Sequence, residues 1–329
     1  MFWKLTCIAG GVLLSSSAVL AEECQKGPEL SAEFCDYNLD LVADLPLDQA
    51  KWRTPKTLVW AYTPIEDPAV YASVFKPLTN HLEQCLDRQV VYYPVQSNTA
   101  QIDAMKTGRL HFAGFATGPT SVAVNEAGAV PFAGKGVGDV LRGYELIAVV
   151  AAGSPYQLLE DLKGKRVAHV SPSSNSGNLA PRALFPAEGL EPGIDYVPVM
   201  SGGHDKSIQG VIAGDYEMAA VASDVLERMI ERGLVRRDDI RVIYTSPTFP
   251  TSSFAHAHDL APELAEALKA CFFSFRFTDE MREEFHGDEQ FVPISYARDW
   301  AVVNAVARQS AGPGTVVDPP EDEGQAAPH

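Results

Sequence analysis

From Thr57 onward the chain alternates short apolar runs with amphipathic helical stretches, and the alternation runs, pauses and then restarts. The runs Thr57–Tyr62, Val90–Val95 and Arg109–Phe115 read as strands. Helical patterns separate them over Pro68–Leu86, with Tyr71, Phe75, Leu78, Leu82 and Cys85 or Leu86 on one face, and over Asn98–Thr107. Strand and helix alternating every 30 residues or so require parallel strands joined by right-handed crossovers, since parallel neighbours need a long return path. A second set follows, with strands over 143–152, 166–170, 196–199, 218–221 and 241–245 and helices over 179–188, 204–213 and 224–232. Two further helices, Ala261–Phe273 and Glu289–Arg308, are too few for a third domain and return to the first set.

The expected organisation is therefore two α/β lobes, residues 55–149 plus 247–310 and residues 150–246, with a hinge of two crossings near Val149–Ala152 and Tyr244–Pro247. Residues 22–54 lack periodicity and read as an extended leader, and the Pro-, Gly- and acid-rich segment 311–329 as a disordered tail.

Residues 1–21 carry Lys4, an apolar core and the ending Val19-Leu-Ala21, the parts of a cleaved secretory signal. Glu23 before Cys24 does not suit a lipoprotein site. A soluble, exported, periplasmic protein is expected. Loss of Lys4 moves the net charge from −17 to −18, which argues against nucleic acid or an anionic membrane as partner. A small anion is still admissible, because local N–H donors outweigh a distant, screened surface charge. Four cysteines remain outside the signal. Cys24 with Cys35 would close a short loop and Cys85 with Cys271 a very long one; the alternative for the last two is a pair of free buried thiols.

The chemistry concentrates at strand-to-helix junctions. After Val170 come Ser171-Pro-Ser-Ser174-Asn175-Ser176-Gly-Asn178, then Pro181 in the first turn of a helix. Such an N-terminus presents unpaired backbone N–H groups and partial positive charge, and the Ser and Asn side chains add donors. One capping residue would suffice for the helix alone, so four in a row point to an anion seat formed by Ser174, Asn175 and Ser176. Phe115-Ala-Thr117-Gly-Pro-Thr120-Ser121 offers a second seat in the first lobe. Ser201-Gly-Gly-His204-Asp205 offers an oxyanion donor in His204, although a lone histidine is more often structural. Asp224 ends a buried run, where it would accept from a P–OH or pair an ammonium, or simply cap the next helix.

Other patterns are weaker. Gly134-Lys-Gly136-Val-Gly138 lacks the spacing of a nucleotide loop, and His256-Ala-His258-Asp259 is a poor metal set. No G-x-S-x-G, C-x-x-C or H-E-x-x-H occurs, so neither an enzyme nor a cofactor is expected.

Taken together, Glu66-Asp67-Pro68, Ala113-Gly-Phe-Ala-Thr-Gly-Pro-Thr120, Ser174-Asn-Ser-Gly177, Gly203-His204-Asp205 and Ala220-Val-Ala-Ser-Asp224 resemble the periplasmic phosphate/phosphite/phosphonate-binding proteins of ABC importers, from about Thr57 to about Val306. The resemblance implies the type II periplasmic-binding-protein fold and closure of two lobes on a ligand. It also implies that Ser174, Asn175, Ser176 and His204 hold the oxyanion. The family's aromatic at the end of the third strand matches Phe115 only loosely; a phenylalanine cannot donate a hydrogen bond, which leaves Tyr62 or Tyr71 to do so. Of the two carboxylates that surround an amine in aminoethylphosphonate binders, one maps to Asp224 and the other falls near Ser252, which favours phosphite, methylphosphonate or another phosphonate. The expectation is a monomeric binding component that captures a small phosphorus oxyanion and delivers it to a permease. The rivals are a binder of another solute, such as a sulfonate or an amino acid, and a hydrolase using His204 and Asp205.

Overall fold

A computed structural model describes residues 24–65 and 68–311. The signal segment 1–21, the Glu66-Asp67 pair of the family resemblance and the tail from 312 onward lie outside the described residues.

The two runs of alternation build two sheets. The strands are β1 (Thr57–Tyr62), β2 (Gln89–Tyr92), β3 (Phe112–Phe115), β4 (Ala129–Val137), β5 (Val140–Leu141), β6 (Gly143–Ala151), β7 (Arg166–His169), β8 (Val197–Met200), β9 (Met218–Ala222), β10 (Ile240–Pro250), β11 (Ser253–Ala257) and β12 (Gln290–Pro293). In the first sheet the order is β12-β4-β11-β3-β1-β2, with β5 paired to β4. The order in the second is β10-β6-β9-β7-β8. Each sheet has a parallel part, β2-β1-β3 or β8-β7-β9, as the crossover spacing requires. Antiparallel strands extend each of them. Helices on both faces bury these strands, which is why β9 reads Met-Ala-Ala-Val-Ala and is buried along its whole length.

The first lobe packs around Trp60, Phe75, Phe112, Phe254, Phe272 and Phe291, each worth on the order of 2–3 kcal/mol of transfer free energy when fully buried. Its helical stretch 68–86 is two helices, Pro68–Val74 and Lys76–Leu86, broken beside Pro77. Tyr71, Phe75, Leu78 and Leu82 on the expected face are buried.

Several expectations are corrected. β6 lies wholly in the second sheet, between β10 and β9, so residues 143–149 belong to the second lobe and the expected crossings fall inside its strands. The chain instead crosses at Arg142, between β5 and β6, and at Thr251–Ser252, between β10 and β11, and the Thr251 N–H bonds the Arg142 carbonyl. Gln290–Pro293 is an edge strand, not the start of a helix; Pro293 disfavours helix at the residue before it, and the helices run over Tyr296–Asp299 and Ala301–Ala311. Strand β11 had no clear apolar signature, because Ser253 and His256 interrupt it, yet it sits centrally between β3 and β4. Nor is the leader a free extension. Ser31 bonds the Asn125 carbonyl, Phe34 meets His258 edge-on at 4.8 Å, and Arg53 pairs with Asp259.

Both disulfides form. Cys24 bonds Cys35 within the leader, and Cys85 bonds Cys271, tying helix Lys76–Leu86 to helix Pro262–Ser274 across 186 residues of sequence. The second bridge restricts the unfolded chain most, because it closes the longer loop. Replacing Cys85 and Cys271 together by serine should lower unfolding stability by about 2–5 kcal/mol, read from the urea midpoint; an unchanged midpoint would show that the bridge contributes nothing.

Candidate functional site

The parallel strands of both sheets end on one cavity of about 340 Å³ between the lobes. Five helix or turn starts contribute to its lining: Ser97–Asn98, Ala116–Thr117, Ser174–Asn175, Gly202 with His204, and Ala222 with Asp224. Ser97 and Ser174 cap their own turns through Oγ, whereas the N-caps Ala116, Gly203 and Ala222 form no side-chain cap bond. First-turn N–H groups of three helices, from both lobes, are thus not capped by side chains at the N-cap, and their partial positive charges add.

On the second lobe, Ser174, Asn175 and Ser176 are buried in the cavity wall. The seat opens with a π turn over Asn175–Leu179, in which the Leu179 N–H reaches the Ser174 carbonyl. Ser174 Oγ accepts from the Gly177 N–H at 3.1 Å, so the hydroxyl does cap, and its hydrogen is still able to donate. Asn175 donates through Nδ2 to Tyr144 Oη at 3.1 Å, and its buried Oδ1 has no protein partner. Burial pushes the Tyr144 phenol up, against the hydrogen bonds of Thr117, Asn175 and Ser176. His204 Nδ1 accepts from the Ala222 N–H at 3.2 Å. The proton of the neutral ring then sits on Nε2, a donor in a cavity-lining residue.

The seat is braced from behind by His169, at the end of β7, which is fully buried between Asn178 Oδ1 and Tyr196 Oη, both at 2.9 Å. Asn178 Nδ2 donates to the Pro172 carbonyl, which makes Oδ1 the acceptor and places the His169 proton on Nδ1.

On the first lobe, Thr117 and Tyr71 line the cavity, with Thr117 Oγ1 donating to the Pro250 carbonyl at 2.9 Å. Tyr62 Oη and Ser252 Oγ lie 2.9 Å apart. Lys135, from the middle of β4 and 5% exposed, donates to both, at 3.0 Å and 2.5 Å. Position 252 therefore holds a lysine through a hydroxyl and supplies no carboxylate. The cavity's second carboxylate is Asp288, 1% exposed, whose Oδ1 has no hydrogen-bond partner and lies 3.9 Å from Arg142 Nε. Burial pushes the Asp288 carboxyl up, opposed by Lys135, Arg142 and His286. Burial also works to raise Asp224, but Arg228 at 3.1 Å, with His204 and His286, holds it below the ordinary range.

Two sequence candidates do not line the cavity. Phe115 is buried in the hydrophobic core, and Thr120 turns inward to Ala116 O and Ser253 Oγ. Asp205, half of the hydrolase pair, is not in the lining either. Sequence reasoning missed Lys135, Arg142, Tyr144, Thr251, His286 and Asp288. A lysine between two glycines in an otherwise apolar run was the available signal for Lys135. Those glycines serve the β4–β5 hairpin: a Cβ at Gly136 would sit 2.1 Å from the Val140 carbonyl oxygen. His256 is buried against Phe132, and no cluster of three or more metal-ligating side chains occurs among the described residues.

The lobes meet across the cavity. A Cβ on Gly118 would fall 2.0 Å from the Ser173 carbonyl oxygen, so backbone touches backbone where the two seats face each other. On the opposite side, His286 Nε2 bonds the Asp224 carbonyl at 2.8 Å and Arg232 pairs with Glu284.

Two α/β lobes joined by two adjacent crossings, with helix starts converging on the cleft, define the type II periplasmic-binding-protein fold. Residues 60–300 match the family described as ABC transporter, phosphonate, periplasmic substrate-binding protein, and the chain belongs to it. It is 26% identical over 277 residues to the phosphate-import protein PhnD of Mycolicibacterium smegmatis, covering 79% of this chain and 85% of that protein. The structure of PhnD1 from Prochlorococcus marinus in complex with methylphosphonate matches with a TM-score of 0.69 at 19% identity, over 78% of this chain and 98% of that one. A binding-protein component of an ABC phosphonate transporter from Pseudomonas aeruginosa gives 0.69 at 17%, over 78% and 87%. No helix among the described residues is long and apolar enough to cross a membrane.

Two outcomes are expected. Gly118→Ala should weaken ligand binding at least roughly tenfold by depleting the closed state, seen as a smaller ligand-induced contraction in X-ray scattering; wild-type affinity would show that this contact does not limit closure. Burial pushes His169 from an ordinary 6.5 down to about 4, so the unfolded chain takes up a proton that the folded chain refuses, and stability falls as pH drops from about 6.5 to about 4. His169→Gln should flatten that fall by roughly 2–3 kcal/mol, read from urea midpoints. His256, also pushed to about 4, and His111 and His258, both pushed down by burial, remain as acid-sensitive groups.

Proposed function

We propose that this chain captures a small phosphorus oxyanion, a phosphonate or phosphite, in the periplasm after cleavage near Ala21, and as a monomer presents it in the closed form to an ABC permease. The observation that carries the reading is the convergence of N–H groups not capped by side chains, hydroxyls and a buried ammonium from both lobes on one cavity. Closure follows from differential affinity: the ligand touches both lobes only when they meet, and so it favours that state. The family and the methylphosphonate complex of the Prochlorococcus protein support the ligand class. Three fixed cations, Lys135, Arg142 and Arg228, against two carboxylates, Asp224 and Asp288, favour ligands without an added ammonium.

Calorimetry against phosphite, methylphosphonate, aminoethylphosphonate, phosphate and sulfonates tests the reading. Phosphite or methylphosphonate should bind tightest, and Ser176→Ala and His204→Ala should each weaken binding by about 1–3 kcal/mol. No heat with any phosphorus oxyanion would refute the proposal, and wild-type affinity in either variant would remove that residue from the site.

A further inference from the structure

We propose that Lys135 reads the charge of the ligand, selecting a doubly ionised phosphorus oxyanion over a singly charged oxyanion of the same shape, such as a sulfonate. The inference rests on the oxyanion reading of the cavity and adds a specificity-determining residue to it.

Charge pairing sets Lys135 apart from its neighbours. In the cavity wall Arg228 lies 3.1 Å from Asp224, and Arg142 lies 3.9 Å from Asp288. The contacts of Lys135 are neutral: the hydroxyls of Tyr62 and Ser252, and the ring faces of Phe285 and Tyr62 at 4.7 Å and 5.4 Å from Nζ. Lys135 acts on Asp288 through space, ahead of Arg142, but beyond ion-pair contact. An ammonium taken this far from water without a contacting carboxylate is unfavourable unless an anion compensates it.

Donor counting points the same way. Lys135 has three N–H donors, two of which go to Tyr62 and Ser252. One of those hydroxyls donates to the other across 2.9 Å, which leaves one O–H of the pair for another acceptor. The triad therefore offers an N–H and an O–H together, and the ammonium polarises that hydroxyl. The partial charges of the uncapped helix starts stand on top of the excess of cations over carboxylates. A single negative charge leaves part of that field uncompensated, and a second charge is attracted by it.

Methylphosphonate and methanesulfonate, nearly equal in shape, are compared by calorimetry in mildly alkaline buffer, where the first is doubly and the second singly charged. Wild type should prefer methylphosphonate by roughly 10- to 100-fold or more, and Lys135→Met should narrow the preference by about tenfold, chiefly by weakening methylphosphonate. A purely structural lysine would weaken both ligands alike, so the ratio is the diagnostic quantity. An unchanged ratio in a folded Lys135→Met protein overturns the proposal. So does equal affinity of wild type for the two ligands, a result that needs no variant. Wild type that binds sulfonate but no phosphorus oxyanion, or neither, defeats the phosphorus-oxyanion reading of the proposed function and is distinguishable from both.

Discussion

Backbone N–H groups at the starts of several helices cannot be crowded onto one cavity without something to oppose their charge. Each helix start carries roughly half a positive charge, and here the starts at Thr117, His204 and Ser223 approach one another from two sheets. With Lys135, Arg142 and Arg228 in the same wall, the positive field exceeds what Asp224 and Asp288 cancel. An anion in the cavity would balance that field, and contacts between the lobes hold its walls together.

Those contacts include helix Ala301–Ala311, which packs on the Thr117–Ala127 helix and on the Ala180–Leu184 helix and Asn175–Leu179 turn of the second lobe. Gly118 lets backbone meet backbone at Ser173, and His286 and Arg232 tie the opposite side. Both crossings between lobes carry cavity residues, Arg142 on one and Thr251 and Ser252 on the other. Any change in lobe angle at these crossings therefore moves cavity residues directly. Coupling of this kind needs no long-range pathway, because hinge and site share residues.

Much of the site was legible because capping chemistry leaves a local trace. Ser174, Asn175 and Ser176 stand out as an excess of cap residues, and His204 and Asp224 as polar groups at the ends of apolar runs, and all five line the cavity. The errors have equally physical origins. Thr120 and Phe115 belong to a motif that does face the cleft, but helix geometry turns Thr120 toward Ser253, and the strand's alternation turns Phe115 into the core. Strand β11 was obscured because its Ser253 and His256 are buried polar groups, the first bonded to Thr120 and the second through Nδ1 to the Ala257 carbonyl. The crossings were misplaced because a strand that continues from one domain boundary into a sheet carries no punctuation of its own.

By itself, the sequence determined the two α/β sheets with their parallel crossovers and the cluster of capping residues at Ser174, Asn175 and Ser176 where a strand meets a helix. All of these rest on periodicities and capping preferences that act within a few residues. Only the tertiary structure decided that Lys135, Tyr62 and Ser252 form one triad and that Asp288 supplies the second carboxylate. It also decided that the lobes exchange chain at Arg142 and Thr251–Ser252. These residues are more than 100 positions apart in several pairs, such as Lys135 with Ser252. Their meeting is fixed by the order of antiparallel strands added to each sheet, for which no local propensity codes.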